Sequence, residues 1–258
     1  MIEQKIRTYE KHPYDGIAPE FPICKKSPWE RLQIWNGLIP DVTVRNESLD
    51  IPKNIVSDTL REIPRLSQLY RKKTGREGLS KENVIWLRHI YHGELFQIGS
   101  LQYQLFRMVY LDEEGCGDAY MQFDCSVKAR LPQGTPVINV HIPTGTDLSK
   151  EAVAESLALA KAFFQMRFPD AKAFVCYSWL LYPGMLELLP AYSNIAAFAS
   201  NFQIIGQVSD PYGSDAVKRI YGRRYPRKAC YPQETQLQRN AIGNFSMLGM
   251  GCGLIEIS

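Results

Sequence analysis

The sequence has no CxxC pair, no long apolar run and no apolar core near its first residue. Because the six cysteines are scattered, we expect reduced thiols and no zinc site. No run approaches the roughly 18 apolar residues of a membrane span, and residues 1–5 do not resemble a secretory signal. We therefore expect a cytoplasmic protein that has no membrane partner. The cysteines are Cys24, Cys116, Cys125, Cys176, Cys230 and Cys252.

Charge of one sign is also scarce. The 258 residues carry a formal net charge of +3, and the sequence pI is near 8.4. A nucleic-acid-binding domain would be expected to have a pI above about 9 and a clustered basic stripe, so no nucleic-acid partner is predicted. The length suffices for one large domain or two small ones.

The most informative stretch runs from residue 135 to residue 181. Residues 137–142 (VINVHI) are mostly apolar and β-branched, which predicts a strand. The turn 144–147 follows, and Ser149 can cap a helix that extends to about residue 166. Residues 173–181 (AFVCYSWLL) then predict a strand that is buried on both faces. A crossover of this length implies two parallel strands, with a ligand loop at the carboxyl end of the first.

Helices are predicted before this crossover and three strands lead into it. Ser27 and Ser80 are predicted helix caps, and Pro64 is expected to kink or split one helix. Residues 112–117 predict a hairpin turn, so an antiparallel meander of three strands should precede the crossover. The predicted helices are 2–11, 29–38, 52–73 and 80–91, and the predicted strands are 96–111, 119–131 and 137–142.

After the crossover we predict helices at 184–202, 214–221 and 235–248. Strands are predicted at 203–208 and 254–257, and residues 249–253 (GMGCG) are expected to end the last helix. This glycine run is not a dinucleotide-binding loop, because it precedes a strand and no helix comes after it. A carboxyl-terminal edge strand would permit a homodimer.

The predicted order of elements resembles the wiring of an acyl-coenzyme A-dependent N-acyltransferase domain of the GNAT type. Several phrases resemble one branch of that superfamily, which joins a helical N-acyltransferase amino-terminal domain to a GNAT-like carboxyl-terminal domain. They are IGSLQY at 98–103, HIPTG at 141–145, SWLLYP at 178–183, SNI at 193–195 with Phe198, and TQLQR at 235–239.

This resemblance implies an α+β or α/β fold. We expect a GNAT-like mixed, mostly antiparallel twisted sheet flanked by helices over residues 95–258, after a helical domain at 1–94. It further implies transfer of an acyl group, acetyl in the first instance, from acetyl-CoA or another acyl-CoA to an amine of a small molecule or peptide. The amine would attack directly in a ternary complex, and no metal would be needed.

The same resemblance places the pantetheine arm between the strands at 137–142 and 173–181. The pyrophosphate would lie at the start of the helix, where the helix dipole favours an anion. The turn departs from the usual phosphate loop, because it has one glycine and is flanked by Asp147 and Glu151. The expected cofactor-binding residues are Ile142, Thr144, Gly145, Thr146, Lys150 and Asn194.

His141 is the candidate general base, because a neutral imidazole there could take the proton of the attacking amine. Tyr177 or Ser178 could protonate the leaving thiolate. Strand alternation puts Cys176 and Ser178 on one face of the strand and Tyr177 on the opposite face. Only one of the two candidate acids, Ser178 or Tyr177, can therefore line the site. Cys176 as a nucleophile is an alternative hypothesis, and it requires His141 within hydrogen-bond reach.

Other patterns admit a structural or a functional interpretation. Ser193 and Asn194, predicted to lie inside a helix, would anchor a loop or contact a ligand. His89 and His92 with Glu94 offer too few ligands for a metal site. The basic stretch 218–228 could bind the 3′-phosphate of the coenzyme or be a solvated surface. The alternative function is a catalytically inactive GNAT-like protein that binds a ligand or peptide in the same cleft.

Overall fold

The computed structural model describes residues 22–116, 121–190, 192–209 and 214–257. The chain divides into two compact units. The first holds the described residues up to Ile98 together with Gln102–Phe106, and the second holds Gly99–Leu101 and the described residues from Arg107 onward. The predicted helix at 2–11 lies outside the described residues.

Four α-helices build most of the first unit, and its apolar core lies between them. Ser27 caps α1 as predicted, with a reciprocal hydrogen bond between its backbone amide and the Glu30 carboxylate. The helix passes through Pro40 and ends ten residues later than predicted. Leu38 and Val42, four residues apart, are both buried, so packing outweighs the local cost of the proline. The helices are α1 (Pro28–Ser48), α2 (Lys53–Leu60), α3 (Glu62–Thr74) and α4 (Lys81–Tyr91).

The predicted break near Pro64 is confirmed, but it falls at Arg61. Pro64 lies in the first turn of α3, where its missing N–H has no intrahelical acceptor in any case. Ser80 caps α4 as predicted, and Asn83 completes the capping box.

Within the described residues, seven strands form one sheet in the order β1-β2-β4-β5-β7-β6-β3. β4 and β5 are parallel and lie at its centre, while β5–β7, β7–β6 and β6–β3 are antiparallel. The helix α7 (Lys150–Arg167) joins β4 to β5, so the predicted crossover is confirmed. The strands are β1 (Leu95–Ile98), β2 (Leu101–Arg107), β3 (Gln122–Phe123), β4 (Pro136–His141), β5 (Ala173–Ser178), β6 (Gln203–Ser209) and β7 (Gly249–Glu256).

The predicted three-strand meander is wrong. The predicted strand 96–111 is split between β1 and β2 at Gly99, whose φ of +59° favours glycine. The predicted hairpin turn holds the short helix α5 (Glu113–Cys116), and residues 125–130 of the predicted return strand form helix α6 (Cys125–Arg130). Asp124 caps α6 by accepting a hydrogen bond from the Ser126 amide at 2.7 Å, and β3 pairs with β6 at the far edge of the sheet.

The predicted helix at 184–202 consists of two short helices. These are α8 (Pro183–Glu187) and α9 (Asn194–Ala199), and the chain between them contains Pro190, which cannot donate a helical hydrogen bond. The predicted strand at 203–208 and the predicted helix at 214–221 are confirmed as β6 and α10 (Ser214–Tyr221). The last predicted helix is shorter and forms α11 (Gln236–Ala241).

The glycine run does not end a helix, because it lies inside β7. Alternation along β7 places Gly249, Gly251 and Gly253 on one face of the strand. A Cβ at Gly251 would lie 2.5 Å from the carbonyl oxygen of Leu181, and one at Gly253 would lie 2.8 Å from the Cβ of Phe202. The absence of side chains at these glycines therefore lets Leu181 and Phe202 pack directly on the backbone of β7. The carboxyl-terminal strand was predicted to be an edge strand. This is wrong, because β7 is paired on both sides, with β5 and with β6.

Candidate active site

The pairing between the two central parallel strands ends before either strand does. Their pairing joins Ile138 with Phe174 and Asn139 with Val175. β4 continues to His141 and β5 to Ser178, yet no further β4–β5 pair forms among the described residues. On its other edge, β5 remains paired with β7 along its whole length. The two strands are therefore unpaired at the carboxyl end of the sheet, where the sequence predicts a ligand, and we call this unpaired end the opening.

The register assigns each candidate to a face of the sheet. Phe174 packs edge-on against Phe164 of α7, with ring centroids 6.0 Å apart, so α7 covers the face that bears Phe174. Alternation along β5 directs Cys176 and Ser178 to that same face and Tyr177 to the opposite one.

His141 and Tyr177 lie on the face opposite α7. Asn139 pairs with Val175, so Asn139 and His141 alternate onto the face that bears Tyr177. Extending the parallel register by two residues places His141 level with Tyr177. The candidate base and one of the two candidate acids are thus on the same face of the sheet, while Ser178 is on the other face.

Tyr177 is held in place by a hydrogen bond. Its hydroxyl donates to the carbonyl oxygen of Val109 at 2.5 Å, and its register partner on β7 is Cys252. Burial raises the pKa of Tyr177 well above its ordinary value, with the neighbouring Cys252 as a further cause. His141 is half-buried at the end of β4.

Ser178 and Cys176 have structural environments. The Ser178 hydroxyl accepts a hydrogen bond from the Leu180 amide at 3.2 Å and caps the 3-10 turn Trp179–Leu181. This turn occupies the end of the predicted 173–181 strand. The Cys176 thiol is fully buried, and desolvation raises its pKa far above the ordinary value. A thiolate nucleophile is therefore disfavoured at this position.

The turn after β4 is ordered by its own side chains. The Thr146 hydroxyl donates to the Pro143 carbonyl at 2.6 Å, and Gly145 has a φ of +85°. Asp147 accepts a hydrogen bond from the Ser149 amide at 2.8 Å, and the Ser149 hydroxyl accepts one from the Ala152 amide at 3.4 Å. These bonds leave the amides of the first two residues of α7, which have no acceptor within the helix.

The acidic residue of this turn, Asp147, is hydrogen-bonded within the turn. Hydrogen bonds from the Ser149 amide and hydroxyl hold the pKa of Asp147 below its ordinary value, because they stabilise the carboxylate. The Asp147 carboxylate is thus part of the hydrogen bonding that begins α7. Thr144 and Gly145 in the same turn are exposed, and so is Lys150, the first residue of α7.

Ile142 lies against apolar side chains, and Asn194 begins a helix instead of lying inside one. Ile142 packs against an apolar cluster that includes Leu180, Met185 and Leu248. Asn194 is exposed and is the first residue of α9, not an interior one, while Ser193 caps that helix by accepting a hydrogen bond from the Ile195 amide at 3.2 Å.

The remaining sequence candidates make contacts of their own. In the first unit, His89 Nδ1 is 2.9 Å from a carboxylate oxygen of Glu94. No group of three metal-ligating side chains occurs in the residues that the structure describes. In the second unit, the guanidinium of Arg223 stacks on the ring of Tyr225, 4.5 Å from its centroid. None of the helices in the described ranges is long and apolar enough to cross a membrane.

Sequence reasoning missed one polar residue at the opening. Asn139 is 8% exposed, and its side-chain oxygen is buried with no hydrogen-bond partner in the described part of the chain. The signal was present in the sequence, because Asn139 is a polar residue with valine or isoleucine on either side in VINVHI.

Comparison with known proteins gives a family and a fold. The family model described as a GNAT-like C-terminal domain matches residues 95–254. The crystal structure of an acyltransferase in complex with decanoyl-CoA and teicoplanin is 22% identical, with a TM-score of 0.73 over 100% of this chain and 75% of that chain. An acyltransferase in complex with CoA and 10C-teicoplanin is also 22% identical, with a TM-score of 0.71 over 90% of this chain and 67% of that chain. A search of curated proteins gave no match.

Proposed function

The chain belongs to the family of proteins with a GNAT-like C-terminal domain, and we propose that it is an acyl-CoA-dependent N-acyltransferase. One observation carries the proposal. The β4–β5 pairing ends at Asn139 and Val175, so an opening lies between two parallel strands with His141 and Tyr177 level on one face. A thioester bound there would have a base and an acid within reach of its reacting atoms.

The donor is proposed to lie along this opening. Past Asn139, the backbone of β4 is not paired with β5, so its amides and carbonyls can bond the amide groups of a pantetheine arm. The turn at Thr144–Thr146 and the amides that open α7 would face the pyrophosphate. Lys150 supplies the nearest positive charge in sequence, and Asn194 is a further candidate contact from the start of α9.

The acceptor is proposed to be an amine of a small molecule or peptide. His141 removes its proton as the nitrogen attacks the thioester carbon directly in a ternary complex. The C–N bond forms, the C–S bond breaks, and the leaving thiolate takes the proton of the Tyr177 hydroxyl. Tyr177 is preferred to Ser178 because alternation places it on the same face of the sheet as His141.

The acyl group is proposed to be acetyl or a longer acyl chain. Acetyl is what the sequence suggested, whereas the similar structures hold decanoyl-CoA. The apolar cluster that Ile142 and Leu148 join supplies hydrophobic surface next to the turn, which is a suitable lining for a longer chain.

The direct test is release of free thiol from acetyl-CoA, octanoyl-CoA and decanoyl-CoA in the presence of an amine panel, with mass spectrometry of the amide. We expect the native chain to release thiol only when an amine is present, and the His141→Gln variant to release little. The two proteins should melt at similar temperatures. Coenzyme A binding without turnover of any pair would favour the inactive ligand-binding protein.

A further inference from the structure

The basic stretch 218–228 concentrates positive charge in a chain that has little of it overall. Six of its eleven residues are lysine or arginine, and residues 216–233 contain no acid. The whole chain has a formal charge of only +3, so its other residues are net negative. The stretch begins in the last turn of α10 and continues beyond that helix. Its cationic residues are Lys218, Arg219, Arg223, Arg224, Arg227 and Lys228.

The cations of this stretch face solvent, and half of them have no counter-charge in the fold. All six are exposed, and Arg224, Arg227 and Lys228 form no ion pair with any described residue. By contrast, Lys128 in the same unit contacts the carboxylate of Asp112 at 2.6 Å. Like charges that lie close together repel one another, and a bound anion relieves that repulsion.

One of the guanidinium groups is held in place by stacking. Arg223 lies over the ring of Tyr225, 4.5 Å from its centroid. Tyr225 packs edge-on against the buried Tyr231, with ring centroids 5.0 Å apart. A stacked guanidinium keeps its N–H groups available, and these can bind a carboxylate through two parallel hydrogen bonds. The basic stretch therefore presents a fixed carboxylate-binding group beside its other cations.

The tyrosines also connect the basic stretch to the carboxyl ends of the central strands. Tyr225 and Tyr231 belong to an apolar cluster that includes Leu180, which follows β5, and Ile142, which follows His141. The basic stretch and the end of β4 thus lie against the same cluster. A peptide that extends along this cluster is able to contact the basic stretch while its amine is at the proposed site.

We propose that the acceptor amine belongs to an acidic peptide segment whose carboxylates bind the basic stretch. The inference rests on the proposed acyl transfer and names the class of its acceptor; the bonds made and broken are those given for that reaction. Clusters of arginine commonly recognise acidic motifs, and cations spread over eleven residues suit a row of carboxylates. A positive surface also concentrates anions and repels polyamines and other cationic amines.

The test compares three N-terminally acetylated peptides that each carry one lysine amine, flanked by glutamates, glutamines or arginines. With decanoyl-CoA or acetyl-CoA as donor, the native chain should have the highest kcat/KM for the glutamate peptide, about tenfold or more above the glutamine peptide. The arginine peptide should have the lowest. This preference should shrink at about 0.5 M salt, because salt screens exposed charges.

Charge reversal at the unpaired cations tests the location. The triple variant Arg224→Glu, Arg227→Glu and Lys228→Glu should invert the order of the three peptides, with the KM for acyl-CoA and the melting temperature unchanged. The matched control reverses three exposed cations of the first unit, Lys72, Lys73 and Arg76. Its net charge changes by the same amount, and it should keep the native order.

Equal kcat/KM values for the three peptides would overturn the inference, as would the same loss of preference in both triple variants. A raised KM for acyl-CoA with the peptide order intact would also overturn it, and would assign the basic stretch to the 3′-phosphate of coenzyme A. Fluorescence anisotropy of labelled peptides measures binding without turnover, and the glutamate peptide should bind most tightly. If the native chain transfers no acyl group, the proposed function fails, whereas equal binding of the three peptides refutes the acidic acceptor by itself.

Discussion

Replacing Gly251 by alanine tests the packing that positions the end of β5. A Cβ at Gly251 would lie 2.5 Å from the carbonyl oxygen and 2.7 Å from the carbonyl carbon of Leu181, whereas non-bonded carbons pack at about 3.5–4.0 Å. One backbone must move by roughly 1 Å. Gly251 is itself paired with Ser178 on one side and Gln207 on the other, so neither backbone moves freely.

The expected cost of Gly251→Ala is that of overpacking, about 1–3 kcal/mol. For a folded unit of this size, that corresponds to a fall in melting temperature of about 2–12 °C. Gly243→Ala is the control, because its Cβ would meet no atom within 4 Å and the change should cost under about 0.5 kcal/mol. Thermal melting followed by circular dichroism measures both. Equal melting temperatures for the two variants would refute the packing argument.

Three further substitutions test the proposed site. His141→Gln should lower kcat about 10²–10⁴-fold and remove the rise of the rate with pH that deprotonation of a base produces, so an unchanged pH–rate profile would exclude it as the base. Tyr177→Phe should lower kcat about 100-fold and also destabilise the fold by about 1 kcal/mol, because the Val109 carbonyl loses its donor; a loss of stability alone would leave Tyr177 a structural role only. Asp147→Asn should tighten coenzyme A binding, since it removes a negative charge beside the proposed pyrophosphate site while its amide oxygen can still accept from Ser149.

The lowered pKa of Asp147 also fixes the sign of a pH effect. Its carboxylate is stabilised in the folded state, so it contributes stability above the unfolded pKa of about 3.9, and that contribution is lost as the pH falls through the lower folded value. In Asp147→Asn this acid-side loss should be smaller, and acid titrations of both proteins by circular dichroism measure the difference. Identical titrations would contradict the assigned cap.

The central crossover could be predicted because its signals are local. A β-branched strand, a serine cap and a proline after the helix lie next to one another in sequence. The family followed from short phrases along residues 98–239, and the match over 95–254 confirms it. Elements whose state depends on distant partners were predicted poorly. The glycines of β7 are in a strand because Leu181 and Phe202 need the space that side chains would fill. Residues 125–130 are an exception, because the Asp124 cap that begins their helix is a local signal that was overlooked.

The candidate residues were visible in the sequence, but their grouping was not. Alternation showed that Ser178 and Tyr177 lie on opposite faces of one strand. Choosing between them required the β4–β5 register, which pairs Asn139 with Val175 and so puts His141 and Tyr177 on the same face by alternation. Likewise, Asn139 is an ordinary polar residue in the sequence, and only the structure reveals that its amide oxygen is buried without a partner.

Calorimetric titration with decanoyl-CoA, acetyl-CoA and free coenzyme A tests the central claim most directly, together with melting curves at the same concentrations. The account predicts saturable binding of at least one acyl-CoA, and a ligand at about 100 times its Kd should stabilise the fold by roughly 2.7 kcal/mol. Weaker binding of the same ligand to a variant with an added negative charge in the turn, Gly145→Asp, would place it at the proposed pyrophosphate site. Absence of binding and of any melting shift with all three ligands would contradict the claim that this chain uses coenzyme A thioesters.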